Sequence, residues 1–384
     1  MAANSHHIPK NSTGWLVVGA GFTGASAARR LAETTGEKIL VIDRRDHVGG
    51  NAYDEQVSGI RVHRYGPHIF HTNSDQVWNF LSRFTRWRPY EHRVQAMIDG
   101  RGVPLPFNFN SIRACFAAAE AERLIVRLTA EYGARTKVPV LKLLQSRDAE
   151  ISALGRFIYD NIFLNYTTRL WGVPPDALQP SVTARVPIYL GEDDRYFHDK
   201  YQAMPADGFV ALFESMLDHP NIEVALRTNF ADLAASDRPR KVLYTGAIDE
   251  YFGWRFGALE YRSLRFHHQT QAGPFFQPVG TVNFPAEPEL LRISEPKHMT
   301  GDDAVHTVIT REYPQKHVPG VTEAFYPMLR REPDSLMPRY QAAAAMLQGS
   351  VCFGGRLADY QHYNMDQACA RGLMLADRQL ASVA

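Results

Sequence analysis

The stretch GWLVVGAGFTGASAARRLAE, residues 14–33, decides how the chain begins to fold, together with EKILVIDRR at 37–45. Residues 15–18 form an apolar run of strand length, a glycine turn follows, and the next residues place Ala28, Leu31 and Ala32 on one face of a helix. A second apolar strand ends in Asp43. This is the spacing of a βαβ dinucleotide-binding unit. Gly19 makes the tight turn, Gly21 lets backbone approach a pyrophosphate, Gly24 permits close helix packing, and Asp43 is placed to hold a ribose hydroxyl. The pyrophosphate would rest on the positive end of the helix. A second glycine pair in RRDHVGGNAYD, residues 44–54, adds bare backbone beside the same ligand.

Bulk composition narrows what else the chain can do. At 384 residues it exceeds one small core and predicts two or three domains with room for a deep pocket. Lys and Arg number 42 against 41 Asp and Glu, so there is no overall field to attract nucleic acid or an anionic membrane. Any bound anion must therefore be held by local cations. No apolar run has the length of a membrane span, and the opening residues lack a secretory apolar core. Three cysteines without a CxxC pair argue against a disulfide framework or thiolate zinc site, and a reducing cytoplasm is expected.

The segment HRYGPHIFHT, residues 63–72, holds three histidines, and it admits three readings: metal site, cofactor bed or core. Its neighbours are Tyr65, Ile69 and Phe70 rather than carboxylates or thiolates, which argues against metal. Gly66 and Pro67 force a bend that can present a neutral imidazole to a flat ring. For His63 and His71, burial with backbone partners is the competing expectation.

Taken in order, the GxGxxG unit, Asp43, VGGNAYD and YGPHIFHT resemble the start of the UDP-galactopyranose mutase family, which binds FAD. The likeness continues through PLPFN (104–108), NYTTRLWG (165–172), DDRYFHDKYQAMP (193–205), YTGAIDEYF (244–252), LEYRSLRF (259–266), RISEPKH (292–298) and GRLADYQHYNMDQ (355–367). It covers the chain from about residue 15 to residue 375. For the cofactor the resemblance implies Gly19, Gly21, Phe22, Thr23, Gly24, Asp43, Arg44, Gly50, Asn51, His68, Ile69, Gly246, Arg356 and Met365. For a nucleoside diphosphate sugar it implies Phe163, Tyr166, Thr167, Trp171, Arg185, Tyr196, Arg292, Tyr326, His362 and Asn364. His68, Arg185 and Arg292 carry the catalytic expectations, with Arg185 on a mobile loop that closes over substrate.

The chemistry of such a substrate fits those residue types. Aromatic faces suit a base, and arginine forks suit phosphate oxygens. The resemblance further implies a ring contraction without net redox change, in which FAD, reduced by NADH, NADPH or another donor, attacks the anomeric carbon through N5. No Ser-His-Asp or Cys-His nucleophile is evident, in keeping with that. His362 stands where the family usually has tyrosine, and Pro296 replaces a histidine of the usual EHKH run, so the sugar or base is open. An amine-oxidase-type flavoenzyme and a non-catalytic nucleotide-sugar-binding flavoprotein are the alternatives. A homodimer is carried as an expectation.

The expected fold is α/β: a Rossmann-like FAD-binding domain with an inserted helical bundle and a β-sheet substrate domain. The FAD domain is expected to be discontinuous, from 1–110 with about 205–250 and 340–384. The bundle is expected over about 111–172, and the substrate domain over about 173–204 and 255–335 with the mobile loop.

Overall fold

The structure is a computed structural model that describes residues 14–179, 187–234, 239, 241–331 and 336–381. Arg185 and the expected mobile loop around it lie outside the described residues. Five strands form a parallel sheet in the order Ile222–Ala225, Ile39–Ile42, Trp15–Val18, Lys241–Tyr244 and Val351–Phe353. Leu16 and Val17 are fully buried on opposite sides of the first strand, as a parallel sheet covered on both faces demands.

The helix Phe22–Thr35 presents Ala25, Ala28 and Leu31 to the core and packs against Gly208–Leu217 and Met365–Ala381. At the second crossing Gly372 lies so near the Thr23 carbonyl that a Cβ would collide with backbone. Small residues therefore set how closely the first and last helices approach. This brings the C-terminal glycine turn back over the N-terminal one.

Residues 109–171 are largely helical: Phe109–Cys115, Ala118–Tyr132, Val140–Leu144, Ala149–Ile158, a wide π turn Tyr159–Leu164, and Asn165–Trp171. Asn108 caps the first through a reciprocal box with Ser111, and Asp148 caps the fourth. Leu124, Leu128, Leu143, Leu154 and Ile158 share one core with Val94, Ala96, Val103 and Leu105 of the neighbouring strands. The π turn carries Ile162 and Phe163 into the cleft described below, and a bulge of this kind marks functional surfaces more often than plain helix does.

The second large sheet has seven strands, ordered Tyr326–Pro327, Tyr261–Ala272, His306–Lys316, Arg292–Ser294, Thr281–Asn283, Val94–Ile98 and Arg101–Leu105. The last two correct an expectation: residues 94–105 were assigned with the nucleotide-binding segments but pair into this sheet. Val94 to Ala96 run parallel to Thr281 to Asn283, and that long-range register overrides sequence proximity. Pro296 is the first residue of the helix Pro296–Thr300, a position at which a missing N–H costs nothing.

Candidate functional site: two adjoining cavities

A cavity opens where the two glycine turns face each other. It is lined by Gly19, Gly21, Phe22, Thr23, Asp43, Arg44, Gly50, Asn51, His68, Gly246, Arg356 and Met365. Gly24 is not on its surface. A Cβ there would strike the Gly19 carbonyl, so Gly24 serves the packing of helix on turn.

Whether a dinucleotide fits can be judged from the backbone. Gly19 has φ +106 and Gly50 has φ +55, and a Cβ on Gly50 would stand 3.1 Å from Gly21 Cα. The floor is thus bare main chain with no space for side chains. The helix Phe22–Thr35 has neither a side-chain cap at Gly21 nor an acid in its first turn, which leaves its leading N–H groups for an anion. Asp43 accepts from the Ala20 and Arg45 amides at 2.9 Å each, which fixes its carboxylate at the cavity edge with lone pairs to spare. These features fit FAD.

His68 stands at the inner end of this cavity. Its Nδ1 lies 2.8 Å from the Gly66 carbonyl and must carry the proton, so Nε2 is the acceptor. Burial lowers the ring to about 4, outweighing that bond, and the charges of Arg356 and Arg292 act in the same direction. His68 is neutral at physiological pH. Arg356 donates to the Tyr363 carbonyl at 2.9 Å, and burial opposes its charge.

Successive residues here turn to opposite sides. His68 faces the first cavity, whereas Pro67 and Ile69 face a second, larger cleft. Ile69 was expected at the cofactor and is instead on that cleft's wall. Met365 and Ala368 line the first cavity while Asn364 and Gln367 line the second, so the two spaces share walls.

The cleft gathers Phe163, Tyr166, Thr167, Trp171, Tyr196, Arg292, Tyr326 and Asn364 from five separate segments. Burial raises the Tyr166 phenol to about 12, so it stays a neutral donor. Arg292 sits on the floor with its Nε 2.8 Å from Glu312 Oε1, a pair set by the cross-strand register of the two residues. The N–H is not aimed along this contact, and both Arg292 Nε and Glu312 Oε2 lack a hydrogen-bond partner among the described residues. Burial opposes the Arg292 charge, and the adjacent carboxylate more than offsets that and keeps the guanidinium ionised. Glu312 is fully buried, and Gly66 at φ +83 gives it room: a Cβ there would stand 3.0 Å from its Oε1.

His362 is placed differently from the sequence expectation. Its Nε2 lies 2.7 Å from the Pro327 carbonyl and its ring stacks on Trp171 at 5.0 Å, so it supports the cleft from behind and does not line it. Tyr363 hydrogen-bonds Asp359 at 3.0 Å. Asn364 is the residue of this run that reaches the cleft.

Sequence reasoning missed several lining residues: His71, His92, Lys137, Tyr189, Phe197, His198, Asp199, Thr281, Asn283 and Gln367. Alternation along Thr281–Asn283 could have found two of them, since residues two apart share a strand face. Lys137 and Tyr189 meet only through antiparallel pairing across 51 intervening positions and carried no local signal.

The three histidines of residues 63–72 thus have three roles in the structure. His63 is buried, its Nδ1 accepting the His68 amide at 3.1 Å and its ring held at about 3 by burial. His68 faces the cofactor cavity. His71 stacks on Phe197 at 3.7 Å and meets Asp199 at 2.9 Å. Among the described residues no group of three or more His, Cys, Asp or Glu could hold a metal ion, and no helix is long and apolar enough to cross a membrane.

Comparison with known proteins converges with this geometry. Residues 17–84 match the NAD(P)-binding Rossmann-like domain, and residues 161–362 match the sequence model of UDP-galactopyranose mutase. The probable UDP-galactopyranose mutase of Klebsiella pneumoniae is 32% identical over 382 residues, covering 97% of this chain and 96% of its own. The dTDP-fucopyranose mutase of Escherichia coli is 32% identical over 364 residues, covering 91% and 94%. A crystal structure of reduced UDP-galactopyranose mutase superposes with TM-score 0.73 over 96% of both chains at 18% identity, a likeness of fold. The fold is of the Rossmann type, and the family model and curated relatives are those of mutases, which are isomerases. The chain belongs to the UDP-galactopyranose mutase family.

Proposed function

We propose that this protein is an FAD-dependent mutase that interconverts the pyranose and furanose forms of a nucleoside diphosphate hexose, UDP-galactose or a relative such as the dTDP-fucose sugar that names the E. coli protein. The observation that supports it best is the shared wall: residues 67–69 and 364–368 separate a glycine-floored cavity from an aromatic cleft whose base is a buried, ionised arginine. Bound and reduced by NADH, NADPH or another donor, the flavin would supply an electron-rich nucleophile for the anomeric carbon.

The chain's own residues do the rest. The helix end and glycine turns hold the FAD pyrophosphate, Asp43 its ribose, and His68 and Arg356 flank the ring-binding end. Phe163, Tyr166, Thr167 and Trp171 take the base and its ribose. Arg292 holds the diphosphate as it departs and returns, with Tyr196 and Tyr326 donating to the same oxygens and Asn364 beside them. Arg185, by resemblance, supplies a second cation. A neutral His68 adds no charge that would compete with Arg292 for the anion.

The test is to incubate dithionite-reduced protein with UDP-, dTDP- and GDP-hexoses and observe furanose product by NMR. Product from at least one sugar, only under reduction, is expected. Equal turnover without reductant, or none with any sugar, would refute the proposal.

A further inference from the structure

His92 lies just before the strand Val94–Ile98 and lines the cleft; Tyr90 stands behind it, off the cleft surface. The Tyr90 hydroxyl is 3.0 Å from His92 Nδ1. Either atom of this pair could donate, and the surroundings decide which does. His92 is 3% exposed, and the Tyr90 oxygen has no other hydrogen-bond partner among the described residues. Were Nδ1 to donate, the half-buried phenol would be left with no protein acceptor for its proton among the described residues, at a cost of up to about 1–3 kcal/mol. If the phenol donates, both groups are satisfied, and the imidazole proton sits on Nε2. Among the described residues that nitrogen makes no hydrogen bond.

The corner into which His92 faces is polar and incompletely bonded. On the neighbouring strand Thr281 Oγ1 and Asn283 Oδ1 are buried without partners, and Arg292 lies one strand further on. Gly280 makes the space for the phenol: a Cβ there would stand 2.5 Å from the Tyr90 oxygen and 3.2 Å from His92 Nδ1.

We infer that Tyr90 is a positioning residue that locks His92 as its Nε2–H tautomer, so that this corner offers a neutral donor to a hydroxyl oxygen of the sugar. The sugar as ligand rests on the function proposed above; the tautomer does not. Keeping the ring neutral separates two jobs. Arg292, His298 and His71 all face His92, and an imidazolium among them would draw the diphosphate toward the sugar end, whereas a neutral N–H binds a hydroxyl and leaves the anion to Arg292.

Long-range 1H–15N spectra of the full chain labelled at histidine test this, with His92 assigned by the signal lost in His92→Gln. The wild-type protein should show a neutral Nε2–H ring, and Tyr90→Phe should show a mixture of both tautomers. In turnover assays Tyr90→Phe should raise KM about 3- to 10-fold with little change in kcat, the scale of one hydrogen bond. Gly280→Ala displaces the phenol with Tyr90 retained and should give the same mixture, which covers the case in which Tyr90→Phe does not fold. An Nδ1–H ring in the wild type, or an unchanged tautomer in both variants, would overturn the assignment. The spectra need no substrate, so failure to turn over any nucleotide sugar would sink the functional proposal while the tautomer still decided the role of Tyr90.

Discussion

The two cavities are built by different means. The cofactor cavity is floored by main chain, with Gly19, Gly21 and Gly50 placed by turns close to one another, and its floor and ribose acid lie within residues 19–51, while His68, Gly246, Arg356 and Met365 complete its walls. The cleft beside it is built from side chains on a π turn, a sheet floor and the run before the last helix. A backbone site needs particular residues at fixed short spacing. A side-chain site needs only that distant strands pair in register. The first kind tolerates almost no substitution at its glycines, whereas the second can be retuned one residue at a time.

The sharpest way to break the cleft is at Arg292. Arg292→Ala should weaken nucleotide-sugar binding by about 2–5 kcal/mol. It should also destabilise the fold by about 3–5 kcal/mol, because Glu312 would remain buried without its cation. The double variant Arg292→Ala with Glu312→Gln separates these effects: calorimetry should show stability largely regained and binding still lost. If the double variant bound substrate normally, Arg292 would be structural only.

Next in size is the response to acid. His63, His68 and His92 are held at about 3, about 4 and about 3, against 6.5 for a free ring, chiefly by burial. Their folded values are lowered, so the unfolded chain takes up protons first as pH falls. The stability they contribute is complete above 6.5 and declines toward 4 for His68 and toward 3 for His63 and His92, by up to about 1.4 kcal/mol per pH unit for each ring. Denaturant melts at pH 7, 6 and 5 should show this slope, and His63→Gln should flatten it. Parallel slopes in the two proteins would mean that His63 is not buried neutral.

These contrasts explain what the sequence disclosed. The strand at 15–18, the turn and the helix after it were legible because spacing alone dictates them. The hairpin at 94–105 was misassigned because its partner lies almost two hundred residues away and no local preference reports parallel pairing. The resemblance implied that His362 touches ligand, yet its ring packs against Trp171 and meets the Pro327 carbonyl. Tyr90 was invisible because its importance is a relation to His92 rather than a motif.

The backbone cavity is probed by a smaller change. Gly50→Ala puts a Cβ at a positive φ and 3.1 Å from Gly21 Cα, in the gap where a pyrophosphate would approach. Strain of about 1–2 kcal/mol is expected, with FAD affinity reduced about 5- to 30-fold by fluorescence titration. Gly36→Ala is the matched control. It shares a positive φ of +68 but meets nothing within 4 Å, so it should cost stability without changing affinity for FAD. Equal loss of FAD in both would show that strain, not proximity to the cofactor, governs the effect.

The smallest effect belongs to the rim. Glu323 pairs with both Arg44 and Arg45 at 2.8 Å across the mouth of the cofactor cavity, yet its side chain is 37% exposed, as is 43% of Arg44. Pairs this open are worth less than about 1 kcal/mol because water and salt screen them. Glu323→Gln should therefore speed FAD release by less than about fivefold at low ionic strength, and not at all in molar salt. Stopped-flow measurement of flavin release in both conditions decides it. A loss of several orders of magnitude would mean that side chains at the mouth, not the glycine floor, hold the cofactor. The contrast between a backbone-built and a side-chain-built cavity would then fail at its first term.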